Sequence, residues 1–222
     1  MRIRTRSELT DRLDEDLAWR KVELSAVKGE VDTAREERRS ALIRAGVALL
    51  YAHWEGFVKQ AATLYLNYVS MQGLRYDELA ANFLGVAIKR ALDEAADTKK
   101  AKTYTRVAHV FGSSLHQRAK LPYDVVDTQS NLSVDVFTNI LCLLGLQRDP
   151  YAPQEKPLIG RLLHLRNNIA HGRWMKVDEE EYQQLHQGIM NLLNLFRNDI
   201  DNATLTAAYR RPEDTRAHPV PS

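Results

Sequence analysis

The stretch from Ser40 to Val69 constrains the fold more than any other part of the chain. Leu42, Ala45, Leu49, Ala52, Trp54, Phe57, Ala61, Leu64, Tyr65 and Tyr68 recur in it at helical spacing and give it a broad apolar surface. A helix apolar over so much of its girth needs neighbours on several sides. The rest of the sequence offers them. Leu9, Leu13, Leu17, Leu24, Val27 and Val31 space a long amphipathic helix from Ser7 to about Arg38. Its leucine stripe suits packing within its own domain, and secondarily a coiled-coil partner. Phe83, Leu84, Val86, Ala87 and Ile88 mark one or two shorter helices between Tyr76 and Asp97, and Val107, Val110, Phe111 and Leu115 a further one. Leu121 to Leu132 reads as a surface loop, after which Ser133 can cap a helix that has Asp135 in its first turn. Pro157 suits the first turn of the next helix and Gly172 its stop. Asp178 can cap the last one, with Glu179, Glu180 and Glu181 where the helix dipole favours them. With no convincing strand, the expected fold is an all-α bundle. It divides into an N-terminal helix (1–39), a helical domain (40–209) and a flexible tail (210–222).

At 222 residues and 44% hydrophobic, the chain can bury one sizeable core. A net charge of +2 excludes a generic cationic coat for nucleic acid, so any RNA contact must be local. The single cysteine, Cys142, sits among Ile140, Leu141, Leu143 and Leu144 and is expected to be a buried thiol. One cysteine excludes an internal disulfide framework and a cysteine-rich zinc site. No apolar stretch reaches the length of a membrane span, and no signal-type apolar region follows Met1, so a cytoplasmic protein is expected.

The chemistry concentrates in Arg166-Asn167-Asn168-Ile169-Ala170-His171-Gly172. Asn167 and His171 are four apart and share a helix face. Arg166 lies about 140° around an ideal helix from His171, within reach of the same cleft only through its long side chain. Imidazole exchanges protons near neutrality, and a guanidinium fork grips phosphate oxygens; together they suit work on a phosphodiester. Glu55, among the aromatics of Tyr51-Ala52-His53-Trp54-Glu55-Gly56-Phe57, can orient an arginine such as Arg166, or else pair with Lys59 on its own helix. His53 reads as a packed core histidine. Between Thr98 and Tyr123 no acidic residue appears before Asp124, while Lys99, Lys100, Lys102, Arg106, Arg118 and Lys120 form the one local basic field and offer themselves to an RNA backbone. His164 and His171, joined by Glu55, make at best an incomplete metal-ligand set.

Arg166, Asn167 and His171, near the end of one helix and leading into another, resemble the Arg-polar-x-x-x-His signature of the HEPN superfamily. Ala52 to Lys59 is similar to the corresponding stretch of stand-alone prokaryotic HEPN proteins, so the likeness spans roughly Ser40 to Ile200. The resemblance implies an all-helical homodimer whose two Arg/His sets line one cleft and cut RNA without metal or cofactor. Arg166 and His171 would be the catalytic pair, with Asn167 and Glu55 in support. It also implies a toxin or antiviral effector, held in check by an antitoxin or other inhibitor protein. The alternatives are a domain that binds RNA or a nucleotide without cutting, or a protein-interaction module.

Overall fold

A computed structural model of the chain describes residues 2–96, 105, 108, 112, 115–122, 125–128 and 131–212, with the side chains of 90–96 excepted. Its helices are α1 (Arg6–Thr33), α2 (Glu36–Met71), α3 (Ala81–Ala96), α4 (Val134–Leu144), α5 (Arg161–Ala170) and α6 (Glu179–Leu205). A 3₁₀ turn, Tyr76–Glu78, precedes α3. A single helical turn at Ala152–Gln154 runs into a π-helical turn, Glu155–Gly160, which feeds α5. Pro157 therefore sits in the π turn rather than in the first turn of α5 itself. Among the described residues, strand-like pairing is limited to two isolated bridges, Arg75 with Arg118 and Leu79 with Arg210. The fold is all-α.

The helix ends follow local chemistry. Thr5 caps α1 reciprocally with Glu8, the hydroxyl accepting from the Glu8 N–H at 3.2 Å and the carboxylate accepting from the Thr5 N–H at 3.2 Å. Ser133 accepts from Val136 N–H at the start of α4, and Asp178 from Glu181 N–H at the start of α6. Between α1 and α2 the helix breaks earlier than the hydropathy pattern suggests, at Ala34 and Arg35 instead of near Arg38. Glycine and proline are absent from that break. Instead, the Arg39 guanidinium donates to the Ala34 carbonyl at 2.8 and 3.1 Å and pairs with Glu179 of α6, so a long-range contact fixes the turn.

The middle of the bundle is a knot of rings. Trp54 and Phe57 of α2, Phe137 of α4 and Phe196 of α6 are all fully buried. Trp54 meets Phe137 at 5.1 Å between centroids, and Phe137 meets Phe196 at 5.9 Å. Each such pair is worth about 0.5–1.5 kcal/mol beyond its buried area. The leucine stripe of α1 (Leu9, Leu13, Leu17, Leu24) is buried in this same core, against α2 and α6. Arg197 and Asp14 clamp the α1–α6 seam with two hydrogen bonds, at 2.7 and 3.0 Å.

On the α1 side of α2, His53 is 3% exposed, with Nε2 2.7 Å from a Glu23 carboxylate oxygen; it is a packed histidine, as read from the sequence. Arg20 lies beside it, held by Asp16 at 2.9 and 3.2 Å. Gly56 makes room for that arginine, since a Cβ there would stand 2.8 Å from Arg20 Nη1. One expectation fails outright. Cys142 is exposed, because α4 turns Phe137, Ile140, Leu141 and Leu144 to the core and Cys142 away from it. No described helix is long and apolar enough to cross a membrane.

Candidate functional site

Helix α5 carries the motif and stops by a defined device. Arg173 N–H donates to Asn168 C=O at 2.9 Å and Gly172 N–H to Ile169 C=O at 3.0 Å, with Gly172 at φ +68°. This paired closure needs a left-handed residue, which glycine supplies without strain. His171 therefore occupies the last half-helical position, exposed, and its ring has no hydrogen-bond or charged partner among the described residues. From here Arg173 runs back over α2, where Arg44 donates to its carbonyl at 3.2 Å. The next residue, Trp174, is 75% exposed.

Arg166, one and a half turns upstream, is held quite differently. Its guanidinium stacks over the Tyr51 ring at 4.1 Å. Nη1 donates to Asn167 Oδ1 at 2.7 Å, and Nη2 lies 3.7 Å from Glu55 Oε2. That last separation is beyond a hydrogen bond, so Glu55 acts on Arg166 as an electrostatic tether. Between the two competing placements for Glu55, the structure shows the one that reaches across to Arg166.

Tyr51 is the site residue that sequence reasoning passed over. It sits one turn before Glu55 on α2, on the same face, and that spacing was its only signal. Its hydroxyl accepts from Leu132 N–H at 2.6 Å, and the Glu55 carboxylate lies close enough to act on it. Burial pushes its ionisation up to about 12; the Leu132 N–H and the Arg166 charge oppose that rise, and Glu55 adds to it. The ring is thus a neutral face at pH 7, well suited to carry a cation.

The structure brings together Arg166, Asn167 and Glu55, and leaves His171 facing solvent from the end of the same helix. Among the described residues no three of His, Cys, Asp and Glu converge as a metal site, so His164, Glu55 and His171 form no ligand cluster. His164 is engaged instead by Asn168, whose amide donates to its backbone carbonyl at 2.8 Å. In the basic field, Arg118 and Lys120 are exposed; Lys99, Lys100, Lys102 and Arg106 lie outside the described residues, as do Val107, Val110 and Phe111.

A family model described as MAE_28990-like HEPN matches residues 9–209. The chain belongs to this HEPN family. The match takes in α1, which the motif likeness over Ser40 to Ile200 did not reach. Neither a curated protein nor a solved structure matches the chain. HEPN membership supports a ribonuclease or nucleotide-binding module.

Proposed function

We propose that this HEPN protein is an endoribonuclease that needs no metal and works at a composite cleft between two copies of the chain. The observation that supports it most is the contrast on α5: a guanidinium held by Tyr51, Asn167 and Glu55 while still partly exposed, and beyond it an exposed imidazole with no partner among the described residues. RNA carries its own nucleophile. The 2′-hydroxyl attacks the adjacent phosphorus, its proton passes to an imidazole base, and the P–O5′ bond breaks as a second imidazole protonates the leaving oxygen. The products are a 2′,3′-cyclic phosphate and a 5′-hydroxyl end. Such proton transfer typically contributes about 10²–10⁴-fold. A preorganised guanidinium stabilises the charge that builds on the non-bridging oxygens, and Tyr51 and Glu55 keep it from having to reorganise during the step.

One His171 cannot act as base and acid in the same turnover, and a twofold pair of chains supplies two. A pair also answers the geometry within one chain, where Arg166 turns toward α2 while His171 leaves the helix end. Exposed Trp174, three residues after His171, offers a stacking face for an unpaired base. A nuclease built this way suits a toxin or antiviral effector restrained by an inhibitor protein.

Incubating RNA with the protein in EDTA, beside His171→Ala and Arg166→Ala, tests the reading. Cleavage by the parent with cyclic-phosphate ends, lost in both variants, is expected; equal cleavage by all three ends the proposal. The separation of Arg166 from His171 within one chain favours a second reading, a domain that binds RNA or a nucleotide without cutting. Tight binding by a protein that leaves RNA intact and stays monomeric would select it.

A further inference from the structure

Far from the cleft, two stretches of chain bring three arginines to one place. A cavity of about 430 Å³ at the C-terminal end of α2 is lined, among the described residues, by Arg2, Arg4, Met71 and Arg118. Glu55 and Met71 are sixteen positions apart on α2, which sets this cavity about 24 Å along the helix axis from the cleft.

Each arginine is placed by the backbone. Ile3, 1% exposed, plugs into the core and its N–H donates to Asn67 Oδ1 at 2.9 Å, so its exposed neighbours Arg2 and Arg4 are carried to the rim. Gln72 donates to the Arg4 carbonyl at 3.3 Å, tying that segment to the end of α2. Arg118 arrives on a chain paired antiparallel to Arg75, with Ala119 N–H donating to Leu74 C=O at 2.8 Å. Its guanidinium lies against the bare face of Gly73.

No acidic side chain among the described residues lines the cavity. Glu8, near Arg4, is engaged instead by the Arg4 and Thr5 N–H groups at the cap of α1. The outward carbonyls of the α2 C-terminus offset part of the positive charge, as helix ends do. Three guanidinia around one cavity still repel one another, and an anion with several oxygens relieves that repulsion through forked, charge-assisted hydrogen bonds.

We propose that Arg2, Arg4 and Arg118 form a phosphate-binding pocket, distinct from the cleft and independent of whether the cleft cuts RNA. The phosphate comes either from an RNA strand running along α2 or from a free polyphosphate such as a nucleotide tail. The test uses the full chain carrying His171→Ala, so that RNA stays intact during titration. Tripolyphosphate and a single-stranded RNA oligonucleotide are titrated into this parent and into versions that also carry Arg118→Gln, Arg118→Lys or the Arg2→Gln/Arg4→Gln pair. Arg12→Gln, at an exposed arginine paired with Glu15, controls for charge alone. Each Gln version is expected to weaken phosphate binding about tenfold, with Arg118→Lys intermediate and melting temperatures unchanged. If RNA is the source, the salt dependence of its binding falls by about one unit of slope per arginine removed. Weakening of tripolyphosphate alone assigns the pocket to a free polyphosphate. If neither ligand separates the pocket variants from Arg12→Gln, the proposal is overturned.

Discussion

The two faces of α2 use nearly the same residues to opposite ends. On the α1 side, Arg20, Asp16, Glu23, His53 and Trp19 engage one another: Arg20 is 8% exposed, doubly bonded to Asp16 and 4.6 Å over the Trp19 ring. On the α5 side, Arg166, Glu55, His171 and Tyr51 provide the same types, but the carboxylate stands off at 3.7 Å and the imidazole has no partner among the described residues. An arginine, an acid, a histidine and an aromatic ring do not by themselves make a reactive site. What separates the faces is the exposure of the imidazole: His53 is buried in the seam, whereas His171 faces solvent. A closed network rigidifies a seam, whereas an open one keeps affinity for something from outside.

The sharpest way to break this contrast is to remove one histidine from the open face. His171→Ala should cost about 10²–10⁴-fold in RNA cleavage while folding stability stays within about 0.5 kcal/mol. A large drop in melting temperature would show that His171 is structural after all. Arg20→Ala should do the reverse. It strands Asp16 beside a core histidine and should destabilise the fold by about 3 kcal/mol, or about 6–12 °C in melting temperature, with cleavage per folded molecule unchanged. Gly56→Ala should cost about 1–3 kcal/mol, since its methyl would press on the Arg20 guanidinium; urea melts measure it.

The pH response separates the faces more gently. Burial lowers the His53 imidazole below its usual range, and Glu23 opposes that shift without cancelling it; burial lowers His186 in the same direction. Below about pH 6.5 the unfolded chain takes up protons at these histidines that the folded chain resists, so stability is full above that pH and declines as pH falls toward the lowered values. Melting temperature should therefore drop between pH 7.5 and 5.5, and His53→Asn should flatten the drop. The smallest effect belongs to Cys142→Ser. On the outer face of α4 it should leave stability within about 0.5 kcal/mol, while the native thiol reacts with a maleimide without unfolding.

Much of this was readable from residues alone, and the pattern of misses is physical. Ser133, Asp178 and Gly172 act as the caps their chemistry suggests, because capping is decided within four residues. That α2 is one long helix followed from a period long enough to leave no alternative, although its start did not. The reach of Glu55 to Arg166 was one of two readings, because an acid amid aromatics either finds a cation across the core or turns to the one on its own helix. The break at Ala34 was hidden because the contacts that hold it, from Arg39 to the Ala34 carbonyl and to Glu179 of α6, leave no trace in the hydropathy pattern. Cys142 was misplaced because Ile140 to Leu144 is apolar on every side, so periodicity could not say which face turned inward. Tyr51 escaped notice because a buried tyrosine looks the same whether it fills space or carries a guanidinium.

The π turn at Glu155–Gly160 decides where α5 points. Widening one loop of the backbone sets the angular phase of everything downstream, and each residue added or lost there rotates the following helix by about 100°. With one residue fewer, Leu162 and Leu165 would swing out of the core and Arg166 would leave the ring of Tyr51. This six-residue stretch, anchored by the buried Glu155 and its pair of bonds to Arg148, is thus the dial on which the motif's aim is set.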